Sequence, residues 1–173
     1  MKILPILLIF LAALSRLLPH FANFAPITAL ALFGAVYLPK KYAFILPLGA
    51  SILADLVIGF DRTTVFFVYS SFILSGIIGL WVKENKSLKN IVVGTLLASI
   101  LFFLITNFAV WLNPVSWYSK DFSGLIQSYI AGIPFFRGTI LGDLFFTGVL
   151  FGGYELVTRV SKKYLPSKIL KYI

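Results

Sequence analysis

Three polar side chains interrupt long apolar stretches of this sequence, namely Asp55, Asn107 and Asp143. A polar or ionisable group at membrane depth is costly, and such residues mark binding sites, ion pathways or pairs between helices. At a rise of about 1.5 Å per residue, all three lie about 6–8 Å below one membrane surface. The pattern predicts a polar layer open to one side, as in a ligand pocket. A proton pathway would need acids at several depths.

The segments just above this layer contribute further polar and aromatic candidates. Arginine suits anionic or carbonyl groups of a ligand, aromatic rings suit a flat face, and buried acids select hydrogen-bond donors. The predicted substrate-binding residues are Arg16, His20, Asn23, Asp55, Asn107, Trp111, Arg137 and Asp143. A purely structural alternative stays open, because Arg16 or Arg137 could pair with either acid and hold helices together.

Other kinds of site are poorly represented in the sequence. It has one histidine and no cysteine, which excludes disulfides, thiolate nucleophiles and cysteine-based metal sites. No HExxH, GxSxG, Walker A or GxGxxG motif occurs. We therefore predict no enzyme activity, no metal site and no cofactor. A carboxylate pair between Asp55 and Asp143 remains an open alternative for intramembrane aspartyl chemistry, although the residues around them are generic.

The composition points to a membrane protein that must position these residues within a bilayer. Of the 173 residues, 60% are apolar and only 12% are charged, and the mean hydropathy is +0.97. A soluble domain of this size must cover its surface with polar groups, so the composition excludes a soluble enzyme. We predict one transmembrane domain over residues 1–173.

The predicted architecture is an all-α bundle of six transmembrane helices. The predicted spans are 3–18, 24–39, 42–59, 64–82, 90–112 and 138–159. Pro26 suits the start of a helix, and Pro47 is expected to kink the third span. The connection 113–137 predicts an amphipathic surface helix capped by Asp121, with a packed loop as the alternative, and could act as a lid.

The basic residues predict the orientation of the bundle. The side with both termini would carry Lys2, Lys40, Lys41, Lys83, Lys86, Lys89, Arg159, Lys162, Lys163, Lys168 and Lys171. The other side would carry only Arg16, Arg62, Lys120 and Arg137. The positive-inside rule then places both termini in the cytoplasm of a multi-pass protein of the inner (plasma) membrane. The net charge of +9 is therefore interpreted as topology and lipid contact, with no nucleic-acid partner.

Pairs of small residues at helical spacing could bring helices close together. They are Ala31 with Ala35, Gly138 with Gly142 and Gly148 with Gly152. Packing within the bundle and docking of another membrane subunit are both compatible with this pattern.

Four stretches resemble a family of small bacterial membrane proteins related to the S components of energy-coupling-factor (ECF) transporters. They are RLLPHFANFAPITALALFGAVYL (16–38), LGASILADLVIGF (48–60), FFLITNFAVWL (102–112) and GIPFFRGTILGDLFFTGVLFGG (132–153). The resemblance implies six helices with both termini inside. It also implies uptake of a vitamin-like micronutrient from the outside, with a coupling subunit and ATPases as partners.

The resemblance extends to the solitary cobalamin-type S components, so a cobalamin or related compound is one candidate ligand. Those proteins bind cobalt through a cysteine, which this chain lacks, and His20 would be the only obvious substitute. A different class stays open, namely a self-contained channel or secondary transporter acting as an oligomer. Such a protein would need polar residues that continue into the cytoplasmic half of the bundle.

Overall fold

The computed structural model describes residues 3–19, 21–59, 61–164 and 166. Within these ranges all regular secondary structure is helical. The elements are α1 (Ile3–Ser15), α2 (Ile27–Tyr37), α3 (Lys40–Ala43), α4 (Ile45–Ile58), α5 (Val65–Glu84), α6 (Leu88–Leu112), α7 (Phe122–Thr147), a π-helical segment (Gly148–Gly152) and α8 (Gly153–Tyr164).

The surface of the bundle suits a lipid bilayer. Four described segments are long and apolar enough to cross a membrane, namely Lys40–Ile58, Val65–Glu84, Leu88–Leu112 and Phe122–Tyr164. Large apolar side chains such as Leu56, Val57 and Leu141 are more than half exposed on these helices. Apolar surface on this scale is unfavourable in water and favourable in hydrocarbon. The predictions of an all-helical fold and of membrane helices are confirmed at this level.

The short helix α2 lies at the centre of the bundle. Each of its residues from Thr28 to Val36 is buried, and its most extensive contacts are with α5. Eleven residues reach only about 16 Å, roughly half of the hydrocarbon thickness of about 30 Å. The short helix leaves a space between its N-terminal end and the nearer membrane surface. Longer helices enclose this space, which forms the candidate site.

The prediction of a separate surface helix within 113–137 is wrong about how far the helix extends. Asp121 does cap a helix, with its carboxylate 2.8 Å from the Gly124 N–H. That helix, however, continues through α7, the π-helical segment and α8 as far as Tyr164. Its buried positions near the start are the small residues Gly124, Ser128 and Gly132. Gly124 packs against Ser119 of the loop, and the other two pack against Asn107 of α6. The apolar residues of the predicted stripe, such as Phe122 and Ile130, are exposed instead.

The third span breaks at Phe44, ahead of the predicted kink at Pro47. α3 ends at Ala43 and α4 begins at Ile45. Pro47 lies in the first turn of α4, where its missing N–H leaves the Ala43 carbonyl without the usual helical partner. The proline therefore ends one helix and starts the next.

The two ends of the bundle differ in charge. The end of the bundle where α2 finishes, which lies opposite the candidate site, carries most of the described basic residues. They are Lys40, Lys41, Lys83, Lys86, Lys89, Arg159, Lys162 and Lys163. At this end Glu155 pairs with the Lys86 amine at 2.6 Å and accepts a hydrogen bond from Tyr37 at 2.9 Å. Lys2, Lys168 and Lys171 lie outside the described residues.

The small-residue pairs differ in their surroundings. Ala31 and Ala35 are fully buried in α2. A methyl group on Gly142 would meet the backbone of Phe24 and Ala25. These pairs pack within the bundle. Gly148 and Gly152 face open space and leave a free face on the π-helical segment.

Candidate functional site

Three lobes that share lining residues form the candidate cavity at the end of the bundle where α1 and α4 finish. The aromatic lobe has a volume of about 380 Å³. The Asp143 lobe and the Asp55 lobe, named here after their acidic residues, each hold about 200 Å³. Phe102 of α6 lines all three lobes, so its ring lies where they join. The first turn of α2 closes the cavity from below, with Ile27 and Thr28 in the lining.

The aromatic lobe combines flat apolar walls with amide and hydroxyl groups. Phe103 and Phe136 pack with their ring centroids 4.4 Å apart and both line the lobe. Asn107 also lines it and donates from its side chain to the Phe103 carbonyl at 2.8 Å. A methyl group on Gly132 would overlap the Asn107 side-chain oxygen, so the glycine leaves room for this amide.

The Asp55 lobe contains a closed ion pair. The Arg16 guanidinium lies 2.6 Å from Asp55 Oδ1, and both side chains are nearly buried. Arg16 also donates to the Ser51 carbonyl at 3.3 Å, and the Tyr69 hydroxyl donates to Asp55 Oδ2 at 2.8 Å. This network joins the end of α1 to α4 and α5 and satisfies both oxygens of Asp55.

The Asp143 carboxylate is buried without a basic partner among the described residues. Asp143 is 1% exposed, and its Oδ2 accepts a hydrogen bond from Ser99 of α6 at 2.7 Å. Backbone N–H groups of Thr28 and Ala29, in the first turn of α2, also face the carboxyl group. Pro26 at the N-cap of α2 gives no side-chain cap, so Asp143 supplies the negative charge that this helix start favours.

Thr28 is the unusual polar residue of this lobe. It is 1% exposed and lines the same lobe as Asp143. Its hydroxyl lies beside the Asp143 carboxylate but makes no hydrogen bond of standard geometry with the described chain. Buried hydroxyls are nearly always paired, so this group indicates a position that suits a polar ligand group.

The rim of the cavity is built from two short loops. Asp61 at the start of one loop lines the Asp55 lobe. The hydroxyl and N–H of Thr63 donate to it and hold the pKa of Asp61 below its usual value. Asn113 of the other loop donates to the Thr63 hydroxyl at 2.8 Å, and Tyr118 of that loop lines the aromatic lobe. Of the connection 113–137 that was predicted as a possible lid, only residues 113–121 lie outside the helices.

The structure brings together five of the predicted site residues. Arg16, Asn23, Asp55, Asn107 and Asp143 line the joined lobes. Asn23 does so with a left-handed backbone, φ 58°, which asparagine tolerates better than most residues.

The remaining predicted site residues lie elsewhere. Trp111 lines none of the three lobes, and its indole N–H donates to the Ser119 carbonyl at 2.9 Å, which fixes the loop. Arg137 is exposed and also lines none of them. His20 lies outside the described residues. The predicted carboxylate pair is absent from the described cavity, because Asp55 and Asp143 line different lobes and bind different partners.

Sequence reasoning missed Phe102 and Thr139, which line more than one lobe, Thr28, which lines the Asp143 lobe, and Ser99, which donates to Asp143. A signal for some of them exists in helical spacing. Ser128, Gly132, Thr139 and Asp143 share one face of α7, and this face is buried in a bundle whose other faces are apolar. A search of the sequence for a polar stripe on an otherwise apolar helix would have identified Thr139 in this way.

The fold and the cavity define an all-helical protein whose surface suits a bilayer and whose interior opens at one end. The chain belongs to the DUF6580 family, a family of unknown function, which it matches over residues 1–167. Neither the curated proteins nor the solved structures contain a match to the chain.

Proposed function

We propose that the protein is the substrate-binding membrane subunit, or S component, of an ECF-type importer. In this role it takes up a small micronutrient from the side of the membrane opposite the termini. The observation that carries the proposal is the three-lobed cavity above the first turn of α2. The sequence resemblance to S components and the excess of basic residues at the opposite end also support it.

The lining of the cavity suits a compact ligand with a flat ring. A volume of about 380 Å³ in the largest lobe is near the lower end of small-molecule sites, which span about 300–1,000 Å³. Phe102, Phe103 and Phe136 supply ring faces, and Asn107 supplies an amide for hydrogen bonds. A corrin with its side groups would have to extend across all three lobes and past Phe102, whereas a smaller vitamin-like compound fits within the aromatic lobe.

Under this proposal the energy for transport comes from partners. A transmembrane coupling subunit and two ATPases would drive release of the ligand on the cytoplasmic side, as the resemblance implies. The free face at Gly148 and Gly152 is one available surface for close contact with another membrane helix.

The proposal is tested by purifying the protein in detergent and identifying co-purified small molecules by mass spectrometry. Phe102→Trp would enlarge the side chain at the junction of the lobes, so we expect loss of the bound compound. Phe108→Trp is the matched control, because Phe108 lies on the same helix and lines none of the three lobes.

A compound that is retained equally by both variants, or the absence of any compound, contradicts the assignment of the cavity. Flux of an ion or solute through liposomes that contain only this protein would instead favour the channel or secondary transporter.

A further inference from the structure

The charge of the cavity lining opposes the charge of the whole chain. The chain carries a net charge of +9, yet the ionic side chains of the three lobes are one cation, Arg16, and the acids Asp55, Asp61 and Asp143. Arg62 follows Asp61 on the same loop and is exposed, and it lines none of the lobes. A cavity with this lining attracts positively charged ligands and repels anions.

The single cation of the lining, Arg16, borders both the Asp143 lobe and the Asp55 lobe, and the carboxylate of Asp55 already balances its charge. Arg16 is bound to Asp55 at 2.6 Å and to the Ser51 carbonyl. An anion that drew the Arg16 guanidinium away from Asp55 would leave Asp55 with only the hydrogen bond from Tyr69. Removing one partner of a buried ion pair is strongly unfavourable.

The start of α2, which would ordinarily suit an anion, is also occupied. The Asp143 carboxylate already faces the N–H groups of Thr28 and Ala29. Asp143 forms no ion pair with the described residues, and a carboxylate can accept about four hydrogen bonds. Among the described residues only the Ser99 hydroxyl donates to Asp143 with standard hydrogen-bond geometry, so this carboxyl group can accept a further donor from the lobe.

We propose that the Asp143 lobe selects a ligand with a positively charged N–H group, a protonated amine or an amidinium. Its N–H groups donate to Asp143 and to the hydroxyl of Thr28, which lines the same lobe and makes no hydrogen bond of standard geometry with the described residues. The ring of such a ligand packs on Phe102 and extends into the aromatic lobe, where ring faces favour a nearby cation. This inference rests on the proposed function, because it specifies the substrate class of the same cavity.

Three probes of similar shape and different charge test the inference, namely benzamidine, benzamide and benzoate. Their binding to the purified protein in detergent is measured by calorimetry and by saturation-transfer NMR at neutral pH. We expect benzamidine to bind at least tenfold more tightly than the neutral amide and the anion.

Two variants assign this preference to the Asp143 lobe. Asp143→Asn should weaken benzamidine binding at least tenfold and leave benzamide binding nearly unchanged. Thr28→Val keeps the shape of the side chain, removes the hydroxyl and should weaken the binding of benzamidine severalfold. If Asp143→Asn does not fold, this variant alone tests whether the Asp143 lobe binds the probe. Asp121→Asn is the control, because this acid lies at the same end of the bundle and lines none of the three lobes.

The inference is overturned if benzamidine binds no better than benzamide, or if both Asp143→Asn and Thr28→Val bind benzamidine like the unmodified protein. The proposed function is still supported after that result if a neutral or anionic compound co-purifies with the unmodified protein and is lost in Phe102→Trp. It is contradicted independently if Phe102→Trp changes the amount of no co-purified compound.

Discussion

At the scale of single residues, Asp143 shows how an acid is accommodated in an apolar bundle without an ion pair to any of the described residues. Ser99 donates to it from α6, and the first turn of α2 turns its N–H groups towards it. A helix start carries a partial positive charge, which favours a carboxylate at this position. Asp143 therefore joins α2, α6 and α7 and also lines the cavity.

Ser99→Ala should lower the free energy of unfolding more than Ser75→Ala. Both serines are fully buried, and each hydroxyl reaches the carbonyl four residues earlier in its helix. Only the Ser99 hydroxyl also donates to a carboxyl group, that of Asp143. Hydrogen bonds to charged groups contribute about 1.5–3 kcal/mol and neutral ones about 0.5–1.5 kcal/mol. The difference of about 1 kcal/mol is measurable by equilibrium unfolding in mixed micelles. Equal losses would show that the bond from Ser99 to Asp143 adds nothing.

The pairing of Arg16 could not be predicted from the sequence. Asp55 and Asp143 were expected at similar depths, and either could have received the guanidinium. The choice depends on which helices are neighbours. The end of α1 lies beside α4, which brings Asp55 within 2.6 Å, whereas Asp143 faces the start of α2.

At the scale of elements, the close approach of α2 and α5 depends on Gly79. A methyl group there would lie 2.7 Å from Ala35 Cβ and 3.0 Å from the Leu32 backbone. The neighbouring atoms include backbone, which cannot move aside as a flexible side chain can. The glycine thus allows the central helix to pack directly against α5.

We expect Gly79→Ala to destabilise the protein by about 1–3 kcal/mol, as overpacking of a core does. Gly49→Ala is the control, because nothing lies within 4 Å of its added methyl group and alanine favours the helix by up to about 1 kcal/mol. Thermal unfolding followed by tryptophan fluorescence measures both changes. A Gly79→Ala variant as stable as Gly49→Ala would contradict this account of the α2–α5 contact.

The start of α7 should be sensitive to pH through Asp121. The Gly124 N–H and the Ser119 hydroxyl donate to this carboxylate and hold the pKa of Asp121 below its usual value. The interaction therefore stabilises the folded state above the unfolded pKa of about 3.9 and is lost as the pH falls through the folded pKa.

Asp121→Ala should accordingly speed hydrogen exchange in the first turn of α7 at neutral pH. The difference from the unmodified protein should shrink once the pH is below the folded pKa of Asp121, which exchange rates over a pH series would show. A difference that stayed the same at low pH would mean that the charge of the cap is unimportant.

The extent of α7 shows why periodicity misleads in a membrane protein. The apolar residues between 122 and 133 repeat at helical spacing, and in a soluble protein that face would be buried. Lipid accepts apolar side chains as readily as a core does, so close contact between helices falls to the small residues instead. Here Gly124, Ser128 and Gly132 form the packed face.

At the scale of the whole molecule, the described basic residues are concentrated at the end opposite the cavity. If that end is cytoplasmic, as the positive-inside rule predicts, the cavity opens to the outside. The orientation decides whether the cavity receives a ligand from the medium or from the cell.

Single-cysteine labelling tests this orientation in a chain that has no cysteine of its own. Trp117→Cys lies at the cavity end at a fully exposed position, and Lys89→Cys lies at the opposite end. A membrane-impermeant maleimide should label the first variant in intact cells and the second only after lysis. The reverse pattern would invert the orientation and remove the basis for uptake from the outside.

The sequence by itself determined the all-helical class, the apolar surface and the presence of acids and amides within apolar helices. These properties follow from composition and local periodicity, because the cost of polar groups in hydrocarbon acts on each segment separately. Only the tertiary structure decided that α2 is short and central, that Phe102 joins three lobes, and that Asp143 faces a helix start while Asp55 takes the arginine. Such features depend on which helices are neighbours and on their relative heights, and no single segment encodes either.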